Sequence, residues 1–168
     1  ILKRKAFAQN EILSDEADLI FDELKIESLR LHHCGSTSVP DLVAKPIIDI
    51  LGSVFSLDEL DNKKEIFENI GYAYKGEYGI IGRRYCVLYN PEKTVAYVHL
   101  HIFQQADPEF EGHLLFRDHL RKSAEAREVY STHKRRLIEN LKVSRENYSE
   151  AKNEVITKIL SEIYRSRS

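Results

Sequence analysis

Apolar residues recur at helical spacing at Leu13, Ala17, Ile20 and Leu24, which predicts a helix over about residues 10–27. Leu29 to Cys34 then reads as a strand. Ile47 to Leu51 is a short β-branched run with one intruding charge, Asp49. Ser56 and Glu59 stand at capping-box spacing and open a helix that closes near Gly71. Residues 72–103 form a β-region: Arg84 to Tyr89, an Asn90-Pro91 turn, then Val95 to Phe103. From Asp107 onward the pattern is helical only, with Asp107 suited to an N-cap and Pro108 to the first turn. Ala126, Tyr130, His133, Leu137 and Leu141 make one helical stripe. Tyr148, Ala151, Val155, Ile159 and Ile163 make another, with Ser144 as its cap. Strands and helices do not alternate regularly, so the expected fold is α+β: a small mixed sheet with flanking helices and a helical C-terminal section.

Composition narrows the class. The chain has 168 residues, of which 42% are hydrophobic, enough to bury a core and too many for a disordered chain. No repeat, low-complexity stretch or Gly/Ser linker divides it, so residues 1–168 are read as a single domain. Cys34 and Cys86 alone make no disulfide scaffold, which suits a reducing, cytoplasmic compartment. No apolar run approaches the roughly 18 residues that cross a bilayer, and no signal peptide opens the sequence. With Ile1 first and no Met, the initiator is missing.

The net charge of −2 hides an imbalance. Residues 117–168 carry a net of +5 and residues 1–116 a net of −7. A negative body with a positive tail points to an anionic ligand or an internal match of charge. The acidic first two-thirds and the pI near 6.4 argue against a nucleic-acid partner.

The segment from His33 through Gly35-Ser36-Thr37-Ser38-Val39-Pro40 to Lys45-Pro46-Ile47-Ile48-Asp49-Ile50 carries the clearest chemistry. A strand ends in Gly35-Ser36, where a missing Cβ admits another group close to the backbone, and such turns cradle phosphate. Asp49, among aliphatics on the next strand, needs a cation, a metal or good donors. Together with Lys45 these residues suggest a phosphate site served by a divalent metal: Mg²⁺, Mn²⁺ or Zn²⁺. On the later strand, Tyr97, His99, His101 and Phe103 share one face. Two His at this spacing lie about 7 Å apart at Cα, within reach of one metal. If that face adjoins Asp49, then Asp49, His99 and His101 form a candidate metal set.

Further candidates are cationic. Gly76, Gly79 and Gly82 punctuate a loop that enters a strand at Arg83 and Arg84, whose forked donors suit phosphate. In the helical section Arg117 and Arg121, Tyr130 and Lys134, and Tyr148 and Lys152 stand four residues apart on one face each. Lys134 and Lys152 lie beside apolar stripes, so their ammonium groups are expected to reach a shared cleft.

The blocks Gly35 to Pro40 and Ala44 to Ile50 resemble the signature of the GrpB family. His99-Leu100-His101, Phe116 to Leu120, Tyr130 with Lys134, and Tyr148 with Lys152 are similar to its remaining blocks, in order over nearly the whole chain. The resemblance implies the nucleotidyltransferase fold of the polymerase-β superfamily. Active members of that superfamily follow Gly-Ser with two acids one residue apart, and a third on a later strand. Here Asp49 is followed by Ile50 and Leu51, so the second acid is missing. The resulting expectation is a protein that binds a nucleotide or phosphorylated metabolite, with Asp49 as the catalytic carboxylate of a metal-assisted nucleotidyl or phosphoryl transfer. The alternative is a non-catalytic nucleotide-binding or helper module, which the family's fusions to dephospho-CoA kinase link to coenzyme A biosynthesis.

Overall fold

The computed structural model describes residues 2–42, 44–139 and 145–167. Leu13, Ala17, Ile20 and Leu24 do form one inward stripe, on helix α1 (Leu2–Leu24). The helix stops earlier than the periodicity suggests because Lys25 takes a positive φ of 49°. Strand β1 (Arg30–Cys34) follows, then a 3₁₀ turn (Ser36–Ser38) and β2 (Ile48–Val54). Ser56 caps the next helix by accepting from the Asp58 N–H at 3.3 Å. The predicted single helix is instead two short ones, α2 (Leu57–Asp61) and α3 (Lys64–Asn69), broken at Asn62-Lys63. Strands β3 (Tyr72–Tyr74), β4 (Arg83–Tyr89) and β5 (Ala96–Gln104) complete the sheet. Asp107 caps helix α4 (Pro108–Lys122) by accepting from the Glu109 N–H at 2.8 Å, with Pro108 in its first turn. Helices α5 (Ala124–Glu139) and α6 (Arg145–Arg167) end the fold. Leu141, Ser144 and the side chains of Tyr148 and Ala151 lie outside the described residues.

The five strands are ordered β1-β2-β5-β4-β3. Only the central β2–β5 pair is parallel; the other three are antiparallel. The architecture is therefore α+β with a mixed sheet, as the irregular order of elements implies.

Alternation sorts the two faces of the sheet. Ile48, Ile50, Val54, Val98, Leu100 and Ile102 are fully or almost fully buried on one face, with Ile20 and Leu24 of α1, Leu60 of α2 and Phe67 of α3. The opposite face packs Cys34, Leu51 and Phe103 against Phe110 of α4. Beyond it Leu120, Tyr130, Val155, Ile159 and Ile163 form a separate apolar cluster around Val39, from the loop after the 3₁₀ turn. That contact clamps the loop from β1 to β2 against the C-terminal helices, directly above the β2–β5 pair.

Candidate functional site

The parallel pairing of β2 with β5 puts Asp49 directly beside His99, and Leu51 beside His101. Asp49 Oδ1 and His99 Nδ1 are 3.3 Å apart. Ligating atoms of Asp49, His99 and His101 all lie within 4.8 Å of one another. Asp49 and the two histidines, which the sequence set on two different strands, thus converge. Tyr85 of β4 stands beside them, its ring 4.9 Å from that of His101 and stacked 5.4 Å from that of Tyr78.

Gly35 closes the other side. Its φ of 65° and ψ of −170° belong to a region that side chains disfavour. A Cβ there would also overlap the Asp49 carboxylate. Glycine is required twice, once by its own backbone and once by the carboxylate that it lets approach. Ser38 Oγ donates back to the Gly35 carbonyl at 2.7 Å and fixes the turn.

The basic helices reach this turn from behind. Lys134 Nζ donates to Ser36 Oγ at 3.0 Å, Arg121 Nε to the Ser38 carbonyl at 3.0 Å, and Arg117 Nη1 to the His33 carbonyl at 3.1 Å. Part of the positive tail is therefore committed to backbone carbonyls and a hydroxyl of the turn. The internal match of charge read from the sequence is, to that extent, structural.

The Gly35-Ser36 turn and the cluster of Asp49, His99 and His101 border a cavity of about 1330 Å³ between the sheet and α4–α6. Gly35, Ser36, Asp49, His99, His101 and Lys152 line it, as do Tyr78 and Gly79 of the glycine-punctuated loop. Lys75, Arg117 and Lys152 add cationic lining, whereas Asp49 is the only acid among the described lining residues.

Electrostatics follow from this crowding. Burial pushes the Asp49 carboxyl upward, but the hydrogen bond to His99 and the nearby His101 and Lys152 outweigh it and hold it below its ordinary value. Burial drives His101 down to about 3, against the pull of Asp49. Burial, aided by Lys152, lowers Lys134 to about 8.

Four predicted phosphate contacts stand outside the cavity lining: Lys134, which donates to Ser36 Oγ, and Arg84, Arg83 and Lys45. Arg84 points to the opposite face of the sheet and grips Asp61 with two hydrogen bonds of 2.6 Å, because successive residues of a strand face opposite ways. Arg83, on the site face, is buried and donates to the carbonyls of Glu77 and Tyr78, with Nη1 3.4 Å from His101 Nδ1. It ties the loop down and does not line the cavity. Lys45 is exposed in the segment before β2, also outside the lining. Tyr85 and His113 were missed as site residues. Strand parity from Arg83 marks Tyr85, and the spacing His113, Arg117, Arg121 marks one face of α4.

The GrpB protein family profile matches residues 7–162. The chain belongs to the GrpB family. A relative in Bacillus subtilis, the UPF0157 protein YqkA, is 39% identical over 130 residues. The match covers 77% of this chain but only 37% of YqkA, so the chain spans little more than a third of that relative. The crystal structure of the conserved protein GrpB from Enterococcus faecalis superposes with a TM-score of 0.79 at 35% identity, covering 94% of this chain and 95% of that one. Cid1, an RNA terminal uridylyl transferase, shares the fold at a TM-score of 0.54 and 12% identity, over 78% of this chain and 40% of its own. The GrpB chain thus has a nucleotidyltransferase-like fold. No described helix is long and apolar enough to cross a membrane.

Proposed function

We propose that this GrpB-family protein binds a nucleotide or another phosphorylated metabolite in the cavity between the sheet and α4–α6. One observation carries the reading: the Gly35-Ser36 turn, to which Lys134 donates, lines a cavity with Lys152, and Asp49 is the only carboxylate among the described lining residues. An ammonium beside a glycine turn suits phosphate oxygens, and a surplus of cations over acids favours an anion. The likeness of the fold to a nucleotidyltransferase supports the same ligand class.

A two-ion nucleotidyl transfer needs carboxylates for both ions. Leu51, only 2% exposed, stands two residues beyond Asp49 on the same face, and no second acid lines the cavity among the described residues. The residues present do not fit that scheme, so no transfer step is derived through it. Leu51 favours the second reading, a binding or helper module that holds its ligand without turnover.

Calorimetric titration of the full chain with nucleoside mono- and triphosphates and dephospho-coenzyme A tests the proposal. Saturable binding that weakens in Lys152→Ala and Lys134→Ala is expected, and no saturable binding to any of them overturns it. Mass spectrometry of the same mixtures separates the two readings. A consumed nucleotide supports transfer, and unaltered nucleotide supports the helper module.

A further inference from the structure

We propose that Asp49, His99 and His101 bind a single transition-metal ion of the Zn²⁺, Co²⁺ or Mn²⁺ type, in place of the Mg²⁺ pair that an all-carboxylate site would hold. The inference deepens the reading of the same cavity, but it needs no nucleotide to be true. Distance supports it first. Ligand atoms around a tetrahedral ion with bonds of about 2.0–2.1 Å stand roughly 3.3–3.4 Å apart. The Asp49–His99 edge is 3.3 Å, and the widest separation in the set is within 4.8 Å, so small side-chain rotations close the triangle.

Donor chemistry supports it next. Mg²⁺ takes oxygen ligands in near-ideal octahedral geometry, and two imidazoles with one carboxylate do not supply that set. Imidazole nitrogen suits the later first-row ions. The support behind the ligands is built in. Gly35 admits the Asp49 carboxylate against the backbone, and the parallel register fixes His99 at its side. Three of the positions around a four-coordinate ion would be protein, leaving one open to the cavity and therefore to a phosphate oxygen or water.

Two cations set the strength of the site. Arg83 reaches His101 Nδ1 at 3.4 Å, and a guanidinium has only donors, so Nε2 is the nitrogen of that ring left to face an ion. A positive group behind a ligand weakens its donation, and Lys152 lines the same cavity as Asp49. Affinity is accordingly expected to be weaker than at a structural zinc site, with His101 the weakest ligand of the three.

The test is titration of the metal-free full chain with CoCl₂, followed by the visible d–d bands of Co²⁺. One ion per chain is expected, displaced by Zn²⁺ and not by millimolar Mg²⁺. Asp49→Ala and His99→Ala should each weaken Co²⁺ binding by at least about tenfold, and His101→Ala by less. His119→Ala, on the same fold but outside the site, should leave it unchanged. A second measurement needs no substitution: in the wild-type protein, Mn²⁺ should broaden the amide signals of residues 49, 99 and 101 first. Absence of saturable Co²⁺ binding, displacement by Mg²⁺, unchanged binding in Asp49→Ala, or broadening centred on other histidines would each overturn the proposal. If Co²⁺ binds and no phosphorylated compound does, the ligand reading fails and the metal site stands. The converse result sinks the metal site alone.

Discussion

The two faces of the sheet are made by the same strands and have little else in common. On β5, Val98, Leu100 and Ile102 are completely buried against α1–α3, while His99 and His101 alternate with them and face the cavity. On β2, Ile48 and Ile50 are buried on the first face, and Asp49 opens on the second. One face consists mainly of packed aliphatics, its few polar groups paired at the margin, as Tyr72 with Glu16 and Arg84 with Asp61. The other gathers a carboxylate, imidazoles, tyrosines and lysines that need partners. The lesson is a division of labour at single-residue spacing: the dry face provides the rigidity that lets polar groups on the wet face be held close together.

Substitutions on the two faces should therefore separate stability from binding. Leu100→Ala, on the dry face, has the largest expected effect on folding, a loss of about 2–5 kcal/mol in urea denaturation. A loss below about 1 kcal/mol would show that the core relaxes around it. Gly35→Ala comes next, costing about 1–3 kcal/mol through its backbone conformation and the overlap with Asp49. Its distinguishing mark is lost Co²⁺ binding in protein that still folds, read by circular dichroism beside the titration.

Lys134 gives a smaller effect that depends on pH. With its value lowered to about 8, the ammonium is charged below that pH and neutral above it. Affinity for a bound nucleotide should fall several-fold between pH 7 and pH 9, and Lys134→Met should flatten that profile. A wild-type profile that is already flat would remove Lys134 from the anion site. Smallest of all, Arg84→Ala removes the ion pair with Asp61 on the dry side, where Asp61 is 41% exposed. It should cost about 1 kcal/mol or less and leave ligand and metal affinity unchanged, as calorimetry would register.

The periodicity of the chain revealed the faces well and the phase of its turns poorly. Alternation in Tyr97 to Phe103 put His99 and His101 together, and the lone charge in Ile47 to Leu51 singled out Asp49. Their meeting was not legible, because it depends on which strands pair and in which register. Arg83 and Arg84 illustrate the same point. Parity says that neighbouring residues face apart, but only pairing with β5 says which one shares a face with His101. The break at Asn62-Lys63 was hidden because no Gly or Pro marks it. The role of the basic helices was half legible. Their charge was plain in the sequence, whereas the use of Arg117 and Arg121 to hold backbone carbonyls required the fold.

The parallel pairing of β2 and β5 also bears on how the protein reaches its native state. Asp49 and His99 are fifty residues apart in the chain, with strands β3 and β4 between them. Contacts of such long range close late, since the entropy of the intervening loop must be overcome first. The proposed metal set would thus report complete folding. A chain that has formed its hairpins but not this pairing holds Asp49 and the two histidines without their geometry, and Co²⁺ added during refolding would mark the moment at which the sheet is finished.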